Sequence, residues 1–154
     1  MKIFHLDANA MNARQANPDL NRLEDLGRSG EVWIDYSRKA YYEASAGCEP
    51  CADKAAEHIW LELSGQPGFE EQKRADIARI VFLNGLKTTS QKNDVEILLT
   101  AFMCGAILVT SDGASKTQPR GILGSKAELT KIGVRVMTPN EALEEALRDD
   151  PEED

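Results

Sequence analysis

The chain has 154 residues, 42% of them hydrophobic and 29% charged, with a formal net charge of −8. Those figures describe one ordinary globular domain, large enough to bury a core without disulfide or metal staples. No apolar run approaches the ~20 residues of a membrane helix, and Asp7 interrupts the opening stretch where a secretory signal needs an apolar region, so a cytoplasmic protein is expected. Three cysteines make an odd count that suggests no disulfide framework.

The charge is unevenly placed. Residues 141–154 hold eight acids and one base, leaving a net of −1 over residues 1–140. A near-neutral body with an acidic tail argues only weakly against a nucleic-acid substrate. The last six residues, 149–154, carry no apolar side chain except one proline and are expected to be a disordered tail on a single domain spanning 1–148.

In chain order, Lys2 to Leu6 reads as a first strand ending at Asp7-Ala8-Asn9. Asn17-Pro18 starts a helix, with Asn as cap and Pro in the first turn. Leu20, Leu23 and Leu26 line its inner face, and Gly27 to Gly30 close it. Val32 to Ile34 is a weaker strand. Asp35 or Ser37 would cap a helix running to about Ala46 with Glu43 inside it. Cys48 and Cys51 fall in the turn before a helix from about Ala52 to Leu63. Ser64 to Gly68 is a break, and a further helix spans about Glu70 to Leu83, ended by Gly85. Beyond the central stretch, Gly113 to Gly124 reads as a polar loop. Ser125 to Glu128 has the capping-box pattern, as has Thr138 to Glu141, with the strand Val134 to Met137 between them.

The most informative stretch runs from Asn93 to Asp112. Val95, Leu98, Leu99 and Phe102 recur at helical spacing, which puts Asp94 in the first turn of a helix. Gly105 suits the left-handed position that ends one. Ala106 to Thr110 is a continuous apolar run rich in β-branched residues, as expected of a strand covered on both faces. Strands alternating with helices predict an α/β, three-layer α/β/α fold with a central parallel sheet of about four strands.

In such sheets ligands bind beyond the carboxyl ends of the strands. Asp7 and Asp112 follow strand ends, Asp94 starts the helix before one, and Glu43 lies on a neighbouring helix. Carboxylates gathered at one point repel unless a cation lies between them. An oxygen-only donor set suits Mg²⁺ or Mn²⁺, which activate water and stabilise the charge developing in phosphodiester hydrolysis.

The order of these residues resembles the PIN domain: HLDAN at the first strand, Glu43 after the second, then Asp94 followed by LVTSD ending at Asp112. The closing VRVMTPNEAL is similar to the last strand and helix of that family, so the resemblance spans Ile3 to about Leu143. It implies a metal-dependent nuclease of single-stranded RNA, with Asp7, Glu43, Asp94 and Asp112 as catalytic and metal ligands for Mg²⁺ or Mn²⁺. It places Asn9 and Thr110 at small polar positions flanking the site. It also implies a protein partner such as an antitoxin, and allows a homodimer. Arg14, Lys116 and Arg120 are candidate phosphate contacts. The chain departs from toxin-type members, which often carry small residues after the third acid; here Glu96 to Leu99 stand there. A PIN-like branch with another substrate, or a scaffold that binds RNA or protein without cutting, is the alternative reading.

Each residue also has a plainer role. Asp7 could cap a helix, Asp94 complement a helix dipole, Glu43 be solvated and Asp112 form a turn. Cys48 and Cys51 lack the further ligands a zinc site needs, and no thioredoxin pattern surrounds them. His5 reads as a packed core residue, and Trp33 and Trp60 as core or interface aromatics. Asp7-Ala8-Asn9 does not supply the Asp-x-Asp of aspartyl phosphatases. The paired acids of receiver domains are likewise missing.

Overall fold

The computed structural model describes residues 1–13, 16–46, 67–113 and 120–148. Among these the sheet has four strands: β1 (Ile3–Leu6), β2 (Trp33–Asp35), β3 (Ile107–Val109) and β4 (Arg135–Met137). Their order is β2-β1-β3-β4 and every pairing is parallel. The fold is therefore the expected α/β architecture with a central parallel sheet of four strands. Phe4 pairs with Ile34 on one side and Ile107 on the other, which makes β1 and β3 the central pair.

The helices are α1 (Ala8–Met11), α2 (Pro18–Ser29), α3 (Arg38–Ser45), α4 (Pro67–Val81), α5 (Thr89–Met103), α6 (Gly121–Gly124), α7 (Lys126–Lys131) and α8 (Pro139–Leu147). The path β1 to β2 moves one way along the sheet and β2 to β3 moves back past β1. Right-handed crossovers then send the intervening helices to opposite faces. The packing agrees: α2 meets α8, while α5 meets α3, α4 and β3. Both faces of the centre are covered, so β3 is buried throughout and Phe4, His5 and Leu6 are all buried. Among the described residues, no helix is long and apolar enough to cross a membrane.

Several starts and stops follow local chemistry. Asn17 Oδ1 accepts from Leu20 N at 3.1 Å, with Pro18 at the first helical position. Thr138 and Glu141 form the expected capping box. Ser37, not Asp35, caps α3. Gly105 is left-handed at φ 65°, where a side chain would be strained.

Other expectations are corrected. Gly27 lies inside α2, and of the stretch expected to close the helix only Gly30, at φ 82°, ends it. The reason for Gly27 is packing: an added Cβ would stand 2.8 Å from Ile34 Cδ1 on β2. The helix expected from Glu70 begins at Pro67, within the presumed break. Asp94 is not in a first turn, because α5 starts at Thr89 behind a capping box of Thr88 and Gln91. Ser125 forms no cap. Gly121 to Gly124 already form a helical turn where a loop was expected, and the Ser125 hydroxyl donates back to Gly121 O at 3.0 Å. Of the core and interface readings of Trp33, the core one falls, because the residue lies on edge strand β2 with 41% of its surface exposed. The expectations for Arg14, Cys48, Cys51, the helix 52–63, Trp60, Lys116 and the tail 149–154 lie outside the described residues.

Candidate functional site

The strand order reverses direction between β1 and β3, so their carboxyl ends flank the crevice where such sheets take ligands. Asp7 leaves β1 there. Its backbone N–H still bonds Val109 O at 3.0 Å, which fixes the residue against the end of β3. Asp7 also starts α1, and its Oδ1 accepts from Ala8 N at 2.8 Å. The helix-cap role and a position in the site thus coexist in one residue.

Beside it, Thr110 follows β3 and is fully buried. Its hydroxyl donates to Asp7 Oδ2 at 2.7 Å. Asn9 Nδ2 reaches Asp7 Oδ2 at 3.3 Å and Thr110 Oγ1 at 3.1 Å. Asn9 Oδ1 accepts from Ser111 N at 3.1 Å, and Asp112 N donates to Thr110 Oγ1 at 3.1 Å. This network ties the loop after β1 to the loop after β3 and carries Asp112 to the same edge. The Asp112 carboxylate accepts from the Ile122 backbone N–H, and Leu123 N donates to Asp112 O at 3.1 Å.

Glu43 and Asp94 enter from helices on one face. Glu43 lies on α3, where Asn93 of α5 donates to its Oε1 at 3.1 Å. Asp94 follows on α5; among the described residues nothing donates a hydrogen bond to its carboxylate.

Electrostatics show that the four acids share one environment. Burial raises the Asp94 pKa to about 8, with further upward pushes from Asp7, Glu43 and Asp112. Burial also raises Asp7; bonds from Thr110 and Ala8 oppose it, and Asp112 adds to it. Glu43 is raised by burial and by Asp7, against lowering by Asn93 and Lys39. Asp112 is raised by burial. Like charges within mutual reach disfavour ionisation, which is the pattern expected of a carboxylate cluster. Among the described residues, no three His, Cys, Asp or Glu side chains stand close enough together to hold a metal ion as placed. The acids are therefore near enough to repel, yet not drawn into a coordination shell.

Of the expected substrate contacts, Asn9 and Thr110 are inside this network. Arg120 pairs with Glu128 at 2.7 Å. Two neighbours went unnoticed in the sequence. Lys39 lies one helical turn before Glu43 and favours its ionised form. Asn93 was visible only as the residue before Asp94, since its contact crosses fifty positions. A second polar pair lies in the sheet itself, where His5 of β1 pairs in register with Asp35 of β2. Both are buried; among the described residues neither His5 ring nitrogen nor Asp35 Oδ2 has a hydrogen-bond partner, and burial lowers the His5 pKa to about 4. His5 is thus the neutral packing residue expected of it.

No protein-family model matches the chain, and no curated protein matches it. Among solved structures it is similar to a chain of VapBC2 from Rickettsia felis bound to a DNA fragment from their promoter. The match has 16% identity and a TM-score of 0.55, and covers 88% of this chain and 98% of that one. At that identity the likeness extends to the fold.

Proposed function

We propose that this protein is a metal-dependent nuclease acting on single-stranded RNA. The observation that carries the reading is that Asp7 and Asp112 follow the ends of the central strands β1 and β3, and that the charges of Asp7, Glu43 and Asp112 all act on Asp94. The donor chemistry fits a hard divalent cation: carboxylate oxygens only, with Asp94 lacking any donor among the described residues. Asp7, Glu43, Asp94 and Asp112 would hold Mg²⁺ or Mn²⁺. Bound there, the ion would supply a water activated for attack on phosphorus and a counter-charge for the oxygens of the phosphodiester.

The chain's own residues then have distinct tasks. Thr110 and Asn9 keep Asp7 Oδ2 an acceptor. The Ile122 N–H holds Asp112. Lys39 offers a positive charge at the rim for a flanking phosphate. VapBC2 is an assembly on promoter DNA, and a protein partner for this chain, an antitoxin in the PIN-domain sense, extends the same reading.

The test is cleavage of an end-labelled single-stranded RNA with Mn²⁺, with Mg²⁺ and with chelator, using the full chain and its Asp7→Asn and Asp94→Asn variants. Metal-dependent cleavage, lost at least about 100-fold in both variants, is expected. Cleavage that persists in either variant, or none by the wild type with either metal, would overturn the reading. In the latter case, retained RNA binding would point to a non-cutting scaffold.

A further inference from the structure

Glu43 stands apart from the other three acids in how it is held. Asp7 is fixed by backbone and side-chain donors and Asp112 by a backbone donor, each close to its own strand end. Asp94 lies on a long helix and has a short stem. Glu43 has a longer stem with more rotamers to choose from, so its carboxylate needs an external hold. Among the described residues one donor reaches it, the Asn93 amide at 3.1 Å, and that contact is half-buried. Asn93 belongs to α5 and immediately precedes Asp94, so the helix that supplies one acid also grips the acid of α3.

We infer that Asn93 is a positioning residue for Glu43, holding its carboxylate toward the cluster so that it can serve a divalent cation there. The residue type suits the task. Lysine or arginine at this place would neutralise Glu43 and compete with a cation, and aspartate would repel it. An amide donates a hydrogen bond without adding charge. Outer partners of this kind orient metal-binding carboxylates, and their loss commonly weakens metal affinity 10–100-fold. The inference rests on the metal-binding reading above and adds to it the residue that recruits the fourth acid.

A double-mutant cycle read by Mn²⁺ calorimetry on the full chain tests it. Asn93→Ala is expected to weaken Mn²⁺ binding about 10-fold in the wild-type background and less than about 2-fold in a Glu43→Ala background, because the amide acts through that carboxylate. Asn93→Leu retains most of the side-chain volume and is expected to match Asn93→Ala, which separates the hydrogen bond from helix packing. Asn93→Gln, which keeps the donor, should recover part of the loss. Equal losses in both backgrounds, or wild-type affinity in Asn93→Ala and Asn93→Leu, would overturn the inference. If Glu43→Ala weakens binding while both Asn93 variants do not, the inference alone falls. If the wild type takes up no Mn²⁺, the metal-binding reading falls with it.

Discussion

Thr110 Oγ1 lies 2.7 Å from Asp7 Oδ2, and its proton has one place to go. The same oxygen accepts from Asn9 Nδ2 and from Asp112 N, each at 3.1 Å. With both lone pairs engaged, the hydroxyl must donate to Asp7, and that oxygen must be an acceptor. Burial favours a protonated Asp7, while this bond favours the carboxylate.

Thr110→Val keeps the shape and removes the donor. It should cost about 1–3 kcal/mol, because Asp7 loses a partner and the Asp112 N–H loses its acceptor. Thr110→Ser, which keeps the hydroxyl, should cost clearly less. Urea unfolding of the two variants makes the comparison, and equal losses would assign the cost to packing.

Asp94 carries the clearest pH signature. Its folded pKa of about 8 stands above its ordinary 3.8, so folding favours the protonated acid. The folded state then binds the extra proton between those values, and stability falls as pH rises from about 4 to about 8. In buffer with chelator, Asp94→Asn should flatten this decline. It should be near neutral at pH 4 and stabilising by at least about 1 kcal/mol at pH 8. A variant no more stable than wild type at pH 8 would show that Asp94 ionises freely.

Gly27 tests the contact between α2 and β2. Alanine there gains helix propensity of about 1 kcal/mol but meets Ile34 Cδ1 at 2.8 Å and Cγ1 at 3.0 Å. Overpacking of a buried contact costs about 1–3 kcal/mol, so Gly27→Ala should be neutral to destabilising. Adding Ile34→Val removes the nearest atom, and the pair should be more stable than the sum of the single changes. Strict additivity in thermal melts would mean that Ile34 simply turns aside.

Lys39 bears on substrate binding. Among the described residues it makes no ion pair, and it lies beside Glu43. If it meets one phosphate of a single strand, Lys39→Gln should lower the slope of log affinity against log salt by about 0.7. Fluorescence anisotropy with a single-stranded RNA in Ca²⁺ measures the slope. An unchanged slope would leave Lys39 as a solvated residue.

The framework was legible because its signals are local. The apolar run Ala106–Thr110, the pair Asn17-Pro18 and the box Thr138–Glu141 each dictate a structure within a few residues. The cap at Thr88 was hidden in Thr88-Thr89-Ser90, three hydroxyls in a row, with apolar spacing beginning only at Val95. Ser125 matched a capping pattern, but its backbone at φ −100°, ψ 5° is not the extended one a cap needs. Within the site, Asp7 and Asp112 could be placed from the strands they follow. Asn93 could not, because its bond to Glu43 depends on how α3 and α5 pack, and spacing along the chain carries no trace of that.

Lys2 shows where the molecule can be handled. Its Nζ donates to Glu145 O at 2.7 Å and to Arg148 O at 2.5 Å, fastening the start of β1 to the last turn of α8. Both ends of the described chain therefore meet at the amino edge of the sheet, with the length of β1, roughly 13 Å, between them and Asp7. A fluorophore, affinity tag or surface linkage joined after Arg148 would stand on the far side of the molecule from the acids. One joined at Met1 would share that distance but strain the lysine clasp.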